Sequence, residues 1–361
     1  MENQIRNQLY FFIIFLLVKI LAVNNIYDQT QYTKNNGYNF LKDFYYNQTH
    51  CLNFHNFINK NSNINNYCNK CLKTKKFEFC QNCSSKDYFK DFKIISPEDT
   101  LNLIINNKNS IARFGDGEFE IIFGNSIGFQ SSNKKLSKRL KQVLQSNEEG
   151  LLIGIPDTFN IERLDNFKTF SQRFWEKWLR INKFKLIILL DKSKTYYSQS
   201  ITRFYMSYKD NTGVDKYIQK LKKIWDKKDV VIIEGEKSRL GVGNDLFDNM
   251  KSIKRIICPS VNAFKLYDRI LKAALKVDKN KLILLALGPT ATILAYDLYK
   301  AGYQVIDVGH VDIEYEWYLR NATTKIIIEN KFVNEAKGGK KNIKDIKDKN
   351  YYNQIIAKIL K

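Results

Sequence analysis

The sequence predicts an α/β protein. It should be a Rossmann-like, largely parallel sheet with helices on both faces, behind a small cysteine-rich N-terminal region. Three observations lead there. From about residue 93, short apolar runs alternate with helical patterns, as in βαβ units. The run "FKLIILLD" is of continuous apolar type, as strands covered on both faces tend to be. Polar or glycine-rich clusters follow four of the runs, at the sheet edge where open α/β folds bind ligands.

The chain falls into three parts: 1–23, 24–92 and 93–361. "LYFFIIFLLVKILAV" (9–23) is nearly all apolar, with Arg6 before it and Lys19 inside. It is short for a membrane span of about 20 residues and reads as a signal peptide cleaved after Ala22, or as an uncleaved signal anchor. Either places the chain in the secretory pathway, in the ER or Golgi lumen. The sequons at Asn47, Asn82 and Asn321 agree with this. Residues 24–92 hold Cys51, Cys68, Cys71, Cys80 and Cys83, with the last four spaced as C-x2-C, eight residues, C-x2-C. That spacing suits a zinc site. Behind a leader, disulfides become the favoured reading over zinc, and free thiols are the third.

Beyond 93 the elements follow in order. "TLNLIIN" is a helix started by Ser96-Pro97. "SIARF" is a strand. Residues 133–146 put Leu136, Leu140, Val143 and Leu144 on one helical face. "GLLIGIP" is a strand, 166–182 a helix and "FKLIILLD" a strand. A helix at 213–227 precedes the strand "DVVIIEG". Helix 244–252, strand "IKRIICP" and helix 260–277 come next. Strand "KLILLALG", helix 290–301 and strand "YQVIDVG" complete the alternation. The lysine-rich tail from 331 ends in a possible helix, "YYNQIIAKIL". Cys258 reads as a buried small hydrophobe.

The chemistry is expected at the strand ends. After "SIARF" come Asp116 and Glu118, flanking Gly117. As a turn, this lets two hard oxygen ligands approach one Mg²⁺ or Mn²⁺ ion, whose other ligands would come from water and phosphate; two solvated turn acids are the bland alternative. Gly288-Pro289-Thr290 is a strand-to-helix turn whose free amides and hydroxyl suit a phosphate, or an ordinary cap. "RLGVGND" is glycine-rich but matches no standard phosphate loop. Arg239 in it either neutralises phosphate or pairs with Glu236. His310 sits among Asp312, Glu314 and Glu316, as a site group or a structural one. A net charge of +22 fits an anionic substrate, an anionic surface or nucleic acid. It also fits compositional bias toward Lys, Asn, Ile and Tyr.

The stretch "RFGDGE" resembles the signature of the GT-D-type glycosyltransferases, first catalogued as a domain of unknown function. "ITRFYM" (201–206), "VIIEGEKSRLGVGNDLF" (231–247), "RIICPSVNAF" (255–264), "LALGPTATILAYDL" (285–298), "GYQVIDVGHVDIEYEW" (302–317) and "FVNEAKGG" (332–339) are similar to further family blocks, in family order. The resemblance covers roughly 94–360; residues 1–92 lie outside it. It implies a Rossmann-like transferase that uses a nucleotide sugar, typically UDP-glucose. It also implies that the D-x-E motif, here Asp116 and Glu118, engages the metal and diphosphate. The donor-binding candidates are Arg113, Gly115, Gly117, Arg239, Gly243, Asn244, Gly288, Thr290 and His310.

The expected function is thus a Mn²⁺- or Mg²⁺-dependent transfer of a hexose, glucose favoured, from a UDP-sugar to a glycan or glycoprotein. A carboxylate would take the acceptor proton, with Asp245, Asp312 and Glu316 as unranked candidates. The N-terminal segment, if uncleaved, makes the membrane a partner. Two other classes fit less well. A basic nucleic-acid-binding protein with a zinc ribbon is disfavoured by the leader and the dispersed lysines, so no nucleic-acid partner is expected. A non-catalytic glycan binder on a transferase fold is disfavoured by the intact D-x-E.

Overall fold

The computed structural model describes Phe89 and residues 92–361, within a compact unit spanning 83–361. The expected leader, the five N-terminal cysteines and the sequons at Asn47 and Asn82 lie outside the described residues.

A nine-stranded sheet organises this unit, in the order β1-β4-β3-β2-β8-β7-β5-β6-β9. The strands are β1 (Lys93–Ile94), β2 (Ser110–Arg113), β3 (Leu151–Ile155), β4 (Thr195–Ser198), β5 (Asp229–Gly235), β6 (Ser252–Cys258), β7 (Leu282–Ala286), β8 (Val305–Asp307) and β9 (Ile355–Lys358). Every pairing is parallel, so all the carboxyl ends reach one edge. Burial of both faces follows from the period-two alternation of a strand. Ile111, Ile232, Leu284 and Ile306 join one core with α1 (Pro97–Asn107) and α5 (Val214–Lys222). Ile233, Leu285 and Val305, at alternate positions, are equally buried and turn to the opposite face. There α7 (Pro289–Lys300) packs across β2 and β8.

Local signals start several helices as expected. Ser96 Oγ accepts from the Asp99 amide at 3.0 Å, and Pro97 opens α1. α3 (Lys134–Gln145) buries the four residues that its periodicity selects. α6 (Tyr267–Ala274) follows a 3₁₀ turn. Cys258, at the end of β6, is fully buried, and burial pushes its thiol up to about 12.

Five elements differ from the sequence expectation. "FKLIILLD" is not a strand but lies largely in α4 (Thr169–Leu189). A continuous apolar run does not separate strand from buried helix, and here Trp178, Asn182 and Leu186 are buried at helical spacing. The strand at this position in the sheet is β4, "TYYS". Residues 244–251 form turns and bends rather than a helix, and Ser252 opens β6. Asn244 Oδ1 accepts from the Leu246 amide at 3.1 Å, an Asx turn that competes with helix. The tail helix α9 (Lys349–Gln354) is shorter than expected, and the chain continues into β9 beside β6. Two helices were not anticipated, α2 (Asp116–Ile122) and α8 (Val311–Leu319).

The topology places a crevice at the carboxyl edge. The connection leaving β5 runs to its neighbour β6, and the one leaving β7 runs to β8 on the other side. Between strands whose connections diverge, no crossover covers the edge.

Candidate active site

The D-x-E motif opens a helix instead of forming a turn. Gly115 is the N-cap of α2, and Glu118 Oε2 accepts its amide at 2.7 Å, the half of a capping box that a glycine allows. Gly117 has helical backbone, so it is not the turn-maker expected from its spacing; a Cβ there would lie 3.2 Å from Ile127 Cδ1. Residues two apart on a helix do not share a face. The two carboxylates accordingly differ. Glu118 folds back on its own helix start, where burial pushes it up to about 7 against the Gly115 hydrogen bond. Asp116 is open to solvent on one side; its carboxylate takes a hydrogen bond from its own backbone amide and makes no ion pair with a described residue. Protein on its other sides raises its pKa by desolvation, and the Glu335 carboxylate adds to this while Arg203 opposes it.

Beside this helix a cleft of about 730 Å³, counting its open mouth, lies along the ends of β5, β6, β7 and β8. Phe129, Phe332, Leu240 and Ile313 give it apolar walls, while Gln130, Ser260, His310 and Asn334 supply polar groups. Gly288 and Gly309 line it with positive φ (53° and 47°). A Cβ on Gly288 would meet Phe129 at 2.4 Å, and one on Gly309 would meet the Arg113 guanidinium at 2.0 Å. Neither position accepts a side chain.

Salt bridges hold the C-terminal segment against this edge. Lys331 Nζ reaches Asp312 Oδ2 at 2.7 Å and Glu316 Oε1 at 2.9 Å, with all three side chains at most 4% exposed. Asn244 Nδ2 donates to both acids, and the Gly241 amide donates to Asp312. Burial acts to raise Glu316, but Lys331, Asn244 and Arg320 outweigh it and hold it below its ordinary value. A second cluster centres on Glu335. Arg203 Nη2 lies 2.6 Å from its Oε1, His310 Nδ1 lies at 3.2 Å, and Lys325 is also paired with it. Burial opposes ionisation here too, yet the three basic partners keep Glu335 well below the usual carboxylate range.

Of the residues singled out in the sequence, Gly288, His310 and Asp312 line the cleft, and Asp116 stands open at the end of β2. The others take different places. Arg113 is a buried strut, donating to Gln199 O at 2.8 Å and Thr202 Oγ1 at 2.6 Å. Arg239 does not pair with Glu236. It donates to the Asn330 and Lys344 carbonyls at 2.7 Å each and meets Asp345. Gly243 is exposed with φ 81°. Thr290 is fully buried, and its Oγ1 has no hydrogen-bond partner among the described residues. Asp245 lies in a separate groove with Lys222, Asp226 and Asp248, bound by Lys222 at 2.8 Å and by the Tyr315 hydroxyl at 2.6 Å. Arg203, Lys331 and Glu335 were not singled out. Only the blocks "ITRFYM" and "FVNEAKGG" pointed toward Arg203 and Glu335.

A wholly parallel α/β sheet, with an open acid and a cleft at its carboxyl edge, defines a protein of the Rossmann-like ligand-binding class. The chain belongs to the glycosyltransferase GT-D fold family, whose pattern matches residues 111–336. It is similar to a probable glycosyl transferase, Gly, of Streptococcus gordonii, 38% identical over 268 residues, covering 74% of this chain and 39% of that protein. It is also 38% identical over 264 residues to the glycosyltransferase GlyD of Streptococcus pneumoniae serotype 4, covering 73% of this chain and 32% of that protein. The chain thus spans well under half the length of these two relatives. Among solved structures it resembles one described as the highly conserved domain of unknown function 1792 with a distinct glycosyltransferase fold. The TM-score there is 0.72 at 40% identity, covering 77% of this chain and 99% of that one. A glycosyltransferase of the same domain type from Streptococcus sanguinis gives 0.70 at 37% identity, covering 74% and 99%.

Two predictions follow from this geometry. Lys331→Ala leaves Asp312 and Glu316 buried without their cation, and breaking a buried pair in this way costs about 3–5 kcal/mol. Urea unfolding should show that loss; a change below about 1 kcal/mol would mean that water or Arg320 replaces the ammonium. The second concerns pH. The Glu118 carboxyl is held above its unfolded value, so the folded state binds its proton more tightly. Stability therefore falls as pH rises from about 4.5 to about 7, approaching a loss of about 3 kcal/mol. Glu118→Gln keeps the capping acceptor without the charge. In metal-free protein it should melt above wild type at pH 8 and level with it near pH 4. Parallel melting curves at both pH values would show that Glu118 is not desolvated.

Proposed function

We propose that this chain is a metal-dependent glycosyltransferase that moves a hexose, with glucose favoured, from a UDP-sugar to a glycan or glycoprotein acceptor in the secretory pathway. The observation that carries the reading is Asp116. It is a carboxylate left open at the end of β2 in a chain of net charge +22, beside a cleft and in a family of glycosyltransferase fold.

The donor set fits a Mn²⁺ or Mg²⁺ ion. Asp116 offers an unpaired carboxylate, and Glu118 retains Oε1 while Oε2 caps α2. No group of three potential metal ligands gathers among the described residues. A hard cation held by these two carboxylates would complete its shell with water and substrate phosphate. Such an ion, when bound, would stabilise charge on the departing nucleoside diphosphate.

The chain's own residues would do the rest. Phe129 and Phe332 offer apolar walls to the nucleoside, and Gln130 and Asn334 offer hydrogen bonds to it. Gly288 and Gly309 keep the floor clear of side chains. Asp312 and Glu316 are bound to Lys331 and Asn244, and Asp245 lies outside the cleft, so none of the three is free to receive the acceptor proton. His310 lines the cleft with Nδ1 turned to Glu335, and it is better placed for an inverting transfer.

The test combines binding and turnover. A UDP-sugar at about 100 times its dissociation constant should stabilise the protein by about 2.7 kcal/mol, and only with Mn²⁺ or Mg²⁺ present. Asp116→Asn and Glu118→Gln should each lower transfer by at least about 10–100-fold, and EDTA should do the same to wild type. His310→Gln should slow transfer while leaving metal-dependent donor binding intact. Normal transfer by both acid variants, unaffected by EDTA, would overturn the metal-dependent reading.

A further inference from the structure

α4 presents an apolar stripe to solvent that the site does not use. Phe170 is 75% exposed, Phe174 42%, Ile181 61% and Ile188 49%. At 3.6 residues per turn these four positions and Lys177 fall within about 60° of one another. Arg173 and Arg180 border the stripe on one side. All three cations are exposed, and none makes an ion pair with a described residue. The opposite face is firmly seated. Trp178, Leu179 and Leu186 are buried, and Trp178 stacks on Phe159 at 6.1 Å and donates to Glu120 Oε1 at 2.8 Å.

From this face we infer that α4 is a docking helix for an anionic lipid surface. A helix with Phe and Ile on one face and Lys/Arg beside them suits the plane of a headgroup interface. Spanning is ruled out for α4: although it has 21 residues, no described helix is apolar enough to cross a membrane. Charge decides among occupants. A second copy would set Arg173, Lys177 and Arg180 against the same cations. Nucleic acid would match the charge but leave Ile181 and Ile188, which cannot stack on bases, without a partner. Anionic headgroups meet the cations while the acyl boundary takes the side chains. Trp178 and Phe159 both touch Phe119 of α2, so docking would bring the Asp116-bearing helix close to the lipid. The inference rests on α4 alone and stands apart from the sugar-transfer reading.

Hydroxyl-radical footprinting of the full chain tests it side chain by side chain. With phosphatidylcholine vesicles containing phosphatidylserine, oxidation of Phe170, Phe174, Ile181 and Ile188 should fall several-fold. It should not fall with phosphatidylcholine alone, and it should recover in high salt. The double variant Arg173→Glu/Arg180→Glu should lose the protection while melting as wild type, since both positions are exposed. Oxidation unchanged by anionic vesicles would overturn the inference, as would equal protection by neutral ones. Protection that rises with protein concentration in the absence of lipid would assign the face to a second copy instead.

Discussion

The carboxyl edge depends on one buried ammonium group. Lys331 comes from the C-terminal segment, Asp312 and Glu316 from α8, and Asn244 from the loop after β5. The three charged side chains meet almost wholly out of solvent, with Asn244 at their half-buried rim. Each charge is tolerable only because the others are present; removing any one leaves an ion in a medium that cannot solvate it. The residues that follow Lys331 inherit this anchor. Phe332 and Asn334 reach the cleft wall, and Glu335 lands on Arg203 and His310. Arg239 fastens the same segment again through the Asn330 and Lys344 carbonyls. A tail thus serves as a wall of the site.

Burial sorts the acids of this edge into roles. Glu314 accepts the Tyr205 and Met206 amides and faces Arg203, while Asp312 and Glu316 share Lys331. These three build structure. Glu118 is divided, with one oxygen capping its helix and one remaining. Asp116 alone among them is open and bonded to no other residue's side chain. Arg203, the cation that acts on it, is already paired with Glu335 and Glu314, so Asp116 is the group with capacity left for a further cation. That asymmetry, rather than the pairing of two equivalent acids on a turn, is the chemistry that the D-x-E motif presents.

Much of this fold was legible in the sequence, for identifiable reasons. "DVVIIEG", "IKRIICP" and "KLILLALG" are strands because their apolar residues serve two faces at once, and the clusters after them do reach one edge. "FKLIILLD" was misread because an apolar run looks the same in a buried helix. α8 was hidden because Asp312, Glu314 and Glu316 interrupt its apolar pattern. Their partners, Lys331, Asn244 and Arg203, lie 15 to 111 positions away in sequence, beyond any local periodicity. The same distance concealed Glu335. Gly117 was assigned to a turn because a glycine between acids suggests one, whereas the capping carboxylate of Glu118 makes it the second residue of a helix. The exposed stripe of α4 was obscured by that element's division into a helix and a strand.

The central claim is that Asp116 holds a divalent ion against the diphosphate of a sugar donor at this edge. A crystal structure with Mn²⁺ and a UDP-sugar, with data collected at a wavelength where manganese scatters anomalously, tests it directly. The account predicts one anomalous peak in coordination contact with an Asp116 carboxylate oxygen, bridging to the diphosphate of a donor whose nucleoside lies in the cleft. A donor bound there with no metal near Asp116, or metal and donor bound together elsewhere, would contradict it.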